Sequence, residues 1–369
     1  MFVKKDLRLK NTYEDLIRSP EKYLHSIDVQ RGTGSLFPTT AEDYAASSFL
    51  DSRIKRSSEL VYDLPLEILL RMRPWFEKNR RPHNFIFHVG HCGSTLLSRL
   101  LGELPGLFAL REPLPLRTLT EFAEPGKPVS DAWSAAFSVV LGLLSRVYNP
   151  NDRAVIKPSS FCNRLIPRLL SWHEDSKAIF LFIDLETYLA TMTKQTNRRE
   201  TRYAITKFHR AELQHLLGDP DFSEESLSDI QCAALNWLTS MSTFMQLSDT
   251  PMHKDRVRYL LFDDFLADRS AVLEEAASFF DISYSGNDIA NLATSSINSM
   301  YSKNPNRTFN TDIRHRILTA AYAEFSNEID DAMNWAQDFA KSNATLARTF
   351  ERFSHKENRC HQHARRLAG

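Results

Sequence analysis

The sequence has no excess of charge of either sign: 46 basic residues balance 46 acidic ones. Bulk attraction to a polyanion is therefore excluded as a basis for function. No nucleic-acid partner is expected, and any anion site must be local. Nowhere does the chain reach the roughly 20 consecutive apolar residues of a membrane-spanning helix, so no membrane partner is expected either. The start, Met1-Phe-Val-Lys-Lys-Asp, carries positive charge without the apolar segment of a secretory signal, and no such leader is expected. The four cysteines, Cys92, Cys162, Cys232 and Cys360, lack C-x-x-C spacing. They read as free thiols in a reducing compartment, which points to the cytoplasm. Internal repeats and low-complexity tracts are absent. What is abundant is large apolar side chains, 24 Phe and 5 Trp among 369 residues. That is enough for a dry core in one large α/β domain with an appendage.

Residues 1–81 read as an N-terminal extension of short helices joined by polar links. Asn11-Thr-Tyr-Glu-Asp supplies capping residues for one helix. Asp63-Leu-Pro-Leu-Glu opens another, with Pro65 in its first turn and Pro74 at its end. Arg31-Gly-Thr-Gly-Ser-Leu-Phe-Pro between them reads as a loop. Residues 82–350 have a different texture. Apolar runs at Phe85–Val89, Leu107–Leu110, Ala154–Ile156, Ala178–Ile183 and Val257–Phe262 predict five buried strands. Helical patterns fall between and after them, at Thr95–Leu104, Asp131–Val147, Leu185–Lys194, Ser226–Leu247 and Ala271–Phe280. This alternation predicts an α/β fold whose roughly five-stranded parallel sheet is covered on both faces, a three-layer architecture. Residues 351–369 are polar and read as a loose tail.

Between the first strand and its helix lies His88-Val-Gly-His-Cys-Gly-Ser-Thr. A strand, a tight glycine turn and a helix start form an anion site, because backbone N–H groups converge there and the helix N-terminus adds positive potential. Gly90 and Gly93 permit the turn, and Ser94 and Thr95 can donate hydroxyl hydrogen bonds. A nucleoside-triphosphate loop requires G-x-x-x-x-G-K-[ST]. Here the lysine is missing and the loop is too short. The motif is of P-loop type without the apparatus for a magnesium triphosphate.

His91-Cys92-Gly93-Ser94-Thr95-Leu96-Leu97 resembles the 5′-phosphosulfate loop of the sulfotransferase superfamily, in the manner of a bacterial-type member. The resemblance extends over roughly residues 82–310, with its motifs in family order. It implies transfer of a sulfuryl group from 3′-phosphoadenosine 5′-phosphosulfate (PAPS), with 3′,5′-ADP as product and no metal. His91 stands where relatives carry Lys or Arg, and imidazole donates one hydrogen bond when neutral and two when charged. Gly90, His91, Cys92, Gly93, Ser94 and Thr95 would hold the phosphosulfate. Ala154-Val-Ile-Lys-Pro-Ser-Ser resembles the family strand ending in a lysine that reaches the transferring group, so Lys157 takes that role. In cytosolic members a base histidine stands two residues on; here that place is Ser159, a candidate to touch substrate. The 3′-phosphate segment keeps Asp184 and places Thr191 at its hydroxyl position, but Ile183 replaces the family's arginine. Lys303 and Arg307 in Tyr301-Ser-Lys-Asn-Pro-Asn-Arg fall where a late nucleotide-binding loop is expected, and Arg198 and Arg199 are further candidates.

Sulfuryl transfer to a hydroxyl or amine acceptor needs a base. Glu112, in Leu110-Arg-Glu-Pro-Leu-Pro-Leu-Arg, follows the second strand; glutamates in a comparable region serve as base in the glucosaminyl and tyrosyl-protein branches. Arg111 and Arg117 could bind phosphosulfate oxygens or an acidic acceptor, and an Arg111–Glu112 ion pair that orders the loop is compatible with that. Catalytic work is thus assigned to Glu112, Lys157 and His91. Cys92 reads as a structural small residue, His88 as a satisfied core histidine, and Trp133 and Trp237 as packing residues. One of Asp263 and Asp264 should cap the following loop, and Cys360-His361-Gln362-His363 reads as a tail segment. Two alternatives stand. Loss of the arginine at Ile183 suggests a P-loop phosphotransferase that uses another nucleotide. That loss, with the base missing at Ser159, suggests a degenerate, non-catalytic binding protein. The acceptor and the oligomeric state are not legible.

Overall fold

A computed structural model describes residues 14–123, 127–194, 198–299 and 310–355. The predicted strands appear as β4 (His83–His88), β5 (Leu107–Arg111), β6 (Arg153–Lys157), β7 (Lys177–Phe182) and β8 (Val257–Leu261). They form one five-stranded parallel sheet in the order β5-β6-β4-β7-β8. Each bound lies within two residues of the sequence expectation, because strands covered on both faces are continuously apolar. All six residues of β4 are buried. Two of its three polar side chains bond across the layers: His83 Nε2 to the Leu141 carbonyl at 3.0 Å, and Asn84 Nδ2, which donates to the Phe280 carbonyl at 3.3 Å.

The chain divides into two compact units. One comprises the described residues of 1–87, 95–179 and 270–297. Its N-terminal part holds short helices, as expected, but also an antiparallel sheet that was not. β1 (Lys22–Asp28), β2 (Thr33–Pro38) and β3 (Tyr62–Pro65) lie in that order. The segment read as a loop, 31–38, is the turn into β2 and β2 itself. A bulge between Leu24 and Ser26 hid the strand. It leaves consecutive Tyr23 and Leu24 both buried and so breaks the period of two by which a half-buried strand is recognised. Two proline expectations also change. Pro65 ends β3 and caps the Leu66–Leu70 helix, while Pro74 sits in the first turn of the Arg73–Lys78 helix instead of ending its predecessor. A first-turn N–H has no acceptor in the helix, so proline costs nothing there.

Buried arginines tie this N-terminal part down. Arg146 donates to the carbonyls of Leu16, Ser19 and Lys22. Burial lowers its pKa to about 10.

The other unit comprises the described residues of 88–94, 180–269 and 298–369. Its core is aromatic: Phe180 packs on Phe244 at 4.5 Å, Phe244 on Tyr259 at 4.9 Å, and Tyr259 on Phe353 at 4.7 Å. The Asp229–Ser248 helix buries Trp237 completely. The helices Thr311–Ala340 and Ala344–Phe353 were not expected. The first buries mostly alanines (Ala321, Ala332, Ala336 and Ala340), so its apolar stripe is faint in sequence. It bends at Phe325, whose φ of −124° and ψ of 23° leave the helical region.

Candidate functional site

The loop that follows β4, in the second unit, is built on left-handed residues. Gly90, His91 and Gly93 have φ of 87°, 52° and 77°. Left-handed residues among right-handed ones turn successive N–H groups toward one concavity. The loop is pinned from below: Val89 N–H and Cys92 Sγ both donate to the Leu181 carbonyl at 3.3 Å. Cys92 is thereby fully buried, consistent with a structural residue. Gly93 is required twice over. Besides its φ, a Cβ there would lie 2.1 Å from Cε2 of Phe262. Gly90 gives its N–H to His88 Nδ1 at 3.0 Å, which leaves the His88 proton on Nε2. It shapes the turn but does not offer that N–H to a ligand. His91 is exposed at the loop's tip. Ser94 and Thr95, 6% and 5% exposed, open the Ser94–Leu101 helix, and neither hydroxyl has a hydrogen-bond partner among the described residues. Two hydroxyls this sheltered keep their donor capacity unspent within the described residues.

In the first unit, the ends of β5 and β6 carry a charge cluster. Lys157, the last residue of β6, has no exposed side-chain surface, and its Nζ donates to Glu112 Oε1 at 2.6 Å. A buried ammonium needs such a counter-charge. Glu112, just past β5, adopts a φ of 52°. Its N–H donates to the Lys157 carbonyl at 2.6 Å, which holds the strained turn in place. Its second oxygen, Oε2, lies 3.4 Å from Nη2 of Arg53. Arg53 stacks 3.6 Å above the Phe49 ring and pairs with Asp51 through both Nε and Nη2. That pairing raises the Arg53 pKa. On Asp51, burial pushes the carboxyl upward, but the Arg53 hydrogen bonds outweigh it and hold the group below its ordinary range. Segment 49–53 is itself anchored: Leu50 N–H donates to the Arg111 carbonyl and Tyr23 Oη to the Leu50 carbonyl, both at 2.7 Å. Sequence reasoning missed Phe49, Asp51 and Arg53. They sit in a polar stretch with no motif, and Arg53 is 59 positions from Glu112.

Other predicted residues fall elsewhere. Arg111 does not face an anion with Glu112. Its guanidinium points away and donates to the carbonyls of Ser47, Tyr44 and Ala45, where the Ala41–Ala46 helix ends. Burial, with help from the charge of Arg99, lowers its pKa to about 10. Arg117 pairs with Glu121 one turn on, at 3.3 Å, and lies over the Phe161 ring. Ser159 precedes the 3-10 turn Ser160–Leu165 and makes no side-chain cap bond. Thr191 donates to the Thr187 carbonyl within its own helix. Asp184 caps that helix, accepting from both Thr187 N–H and Thr187 Oγ1 at 2.9 Å. Ile183 is 2% exposed, so the position of the family's arginine is apolar core. Asp263 forms a two-point pair with Arg314. Lys303, Arg307 and the 360–363 run lie outside the described residues, as do the side chains of Arg198 and Arg199.

Together these features define a class: an α/β protein with a left-handed glycine turn after one parallel strand and a buried lysine–carboxylate pair at the ends of two others. No protein-family model matches the sequence, and no curated protein does. Among solved structures the chain is similar to the sulfotransferase domain from the curacin biosynthetic pathway, with 15% identity and a TM-score of 0.37 over 67% of this chain and 98% of that one. It is also similar to a sulfotransferase from Alicyclobacillus acidocaldarius, with 16% identity and a TM-score of 0.34 over 68% and 96%. A third is mouse sulfotransferase complexed with PAP, with 11% identity and a TM-score of 0.37 over 81% and 93%. At such identities the likeness concerns fold, and any function must be argued from the side chains.

Proposed function

We propose that this protein is a sulfotransferase that moves a sulfuryl group from PAPS to a hydroxyl or amine acceptor. The observation that carries the proposal is the bond between Lys157 Nζ and Glu112 Oε1 at the ends of neighbouring strands. Ligands of open α/β sheets collect at these carboxyl ends. The pair provides the two groups the reaction needs: a cation for charge on a leaving oxygen and a carboxylate to accept a proton.

PAPS supplies the sulfuryl group when bound. The chain's own residues suit its phosphosulfate end. The N–H groups of the left-handed turn that leads into the helix, with the unpartnered hydroxyls of Ser94 and Thr95, donate to anion oxygens. His91 at the tip adds a further donor. Lys157 orients Glu112 through Oε1, and Glu112 takes the acceptor's proton. The 3′-phosphate end fits less well. Ile183 is buried, and the Thr191 hydroxyl donates within its own helix.

Calorimetry with 3′,5′-ADP tests the donor. Micromolar binding that is weakened at least tenfold by Lys157→Ala supports PAPS, and transfer of labelled sulfuryl from PAPS completes the case. The burial of Ile183 favours one rival, a phosphotransferase whose nucleotide lacks a 3′-phosphate. Tight ATP binding with no heat from 3′,5′-ADP would decide for it.

A further inference from the structure

The small antiparallel sheet of the first unit ends on an unguarded edge. β3 pairs with β2 on one side and, among the described residues, with no strand on the other. Alternate residues of such a strand turn their N–H and C=O groups outward, where they can template a further strand. Folded proteins blunt these edges with lysine or cover them. Here Leu60 and Val61 lead into β3 and Tyr62 begins it, at 59%, 47% and 46% exposure, and no basic residue falls within 57–67. Glu59 and Glu67 find cations outside that stretch, in Arg56 and Arg71. Asp63, inside β3, has no cation among the described residues, and its carboxylate accepts one hydrogen bond, from Ser35 Oγ at 2.6 Å.

The described chain begins at Glu14, beside one end of this sheet. Asp15 pairs with Lys22, the first residue of β1, at 3.7 Å, and Arg146 holds the Leu16 carbonyl. Lys22 stands opposite Pro38, and Leu36 opposite Tyr62, so β3 starts at that same end. Residues 1–13, outside the described residues, could extend to about 45 Å, against roughly 15 Å for three strand spacings. Because they enter Glu14 at the end where β3 starts, any part of them laid along β3 runs antiparallel to it. Leu7 and Leu9 alternate with Asp6, Arg8 and Lys10, the period of two of a half-buried strand. Lys4, Lys5, Arg8 and Lys10 outnumber the single carboxylate of Asp6.

We propose that residues 7–10 of this chain add to β3 as a fourth, antiparallel strand. Leu7 and Leu9 share a face with Leu60 and Tyr62, and Arg8 on the other face stands with Val61 and Asp63, supplying the cation that Asp63 lacks. A second copy of the chain is a poorer occupant, since an antiparallel β3–β3 pair sets two acidic stretches without a base side by side.

Hydrogen exchange of the full chain reads the outward amides of 60–64. They should exchange slowly in the wild type and at least tenfold faster in the Leu7→Asp/Leu9→Asp double variant. The amides of β4 should keep their wild-type rates, which shows that the fold is intact. Arg8→Glu should give part of that acceleration, and Asp63→Arg in the same chain should reverse it. Exchange at 60–64 that is equal in the wild type and the double variant would overturn the proposal. Protection that appears only as protein concentration rises, with the mass doubling in light scattering, would also overturn it, because the occupant would then be a second copy.

Discussion

Glu112 is joined to Lys157 twice, by its carboxylate to the ammonium and by its backbone N–H to the Lys157 carbonyl, each at 2.6 Å. One bond fixes where the side chain sits and the other fixes the turn that delivers it. The two contributions are separable by substitution. Glu112→Gln keeps the shape and a hydrogen bond but removes the base. It should fold, with a loss of stability from the uncompensated Lys157 ammonium that is smaller than in Glu112→Ala because a hydrogen bond remains, and lose about 10²–10⁴-fold in sulfuryl transfer. Unchanged transfer rates would remove Glu112 from the reaction.

Glu112→Ala should behave differently. It strips the buried Lys157 ammonium of its carboxylate, and breaking a buried pair costs about 3–5 kcal/mol when both partners are fully enclosed. Glu112 is 16% exposed, so the lower end of that range is expected. Adding Lys157→Met to the same chain should recover most of the loss. Urea unfolding of the two single variants and the double variant measures the coupling.

Gly93→Ala meets two obstacles, a left-handed φ of 77° and the Phe262 ring 2.1 Å from the new Cβ. Destabilisation of roughly 3 kcal/mol is expected, with loss of 3′,5′-ADP binding. In a Phe262→Ala background, which bears its own cavity cost, adding Gly93→Ala should cost only the backbone part, about 1–2 kcal/mol. If Gly93→Ala costs as much in that background as in the wild type, the ring is not the obstacle.

Arg111→Met separates the two roles this arginine could play. Its bonds to Ser47, Tyr44 and Ala45 carbonyls predict a stability loss of about 1–3 kcal/mol for the unsatisfied acceptors. Affinity for 3′,5′-ADP should stay within twofold of wild type. A larger fall in affinity would return Arg111 to the anion site.

His83 is fully buried, and burial lowers its pKa to about 3. The unfolded chain has the higher pKa of about 6.5, so it binds the proton first as pH falls. Above about pH 6.5 the group makes no pH-dependent contribution. Between there and pH 3 it destabilises the fold as pH drops, with a slope of at most about 1.4 kcal/mol per pH unit. His83→Asn should flatten that part of the stability profile.

The strands of the parallel sheet were readable because burial on both faces makes each a continuous apolar run, as in Phe85-Ile-Phe. The glycine turn was readable because Gly90, Gly93, Ser94 and Thr95 are close in sequence and each answers a local need. Glu112 and Lys157 stood out separately, but their bond spans 45 positions and follows only from the parallel pairing of β5 and β6. Arg53 and Phe49 left no trace, since nothing local to 49–53 reveals what it packs against. Arg111 misled, because a charged residue beside a candidate base suggests chemistry, whereas neighbouring residues of a strand face opposite sides. β1 was concealed by its bulge, and the Thr311–Ala340 helix by its reliance on alanine.

The anchoring of Leu50 between Tyr23 and Arg111 bears on how far the chain can be shortened. A change in texture near residue 82 invites a cut there, as though an accessory piece ended and an enzyme began. Such a cut would strip Phe49 and Arg53 from Glu112 and leave the carbonyl of Arg111 and its three guanidinium donors without partners. Under the proposed function the early residues are a wall of the site and not an attachment to it, and a shortened chain starting at residue 82 should be inactive even where its central sheet survives.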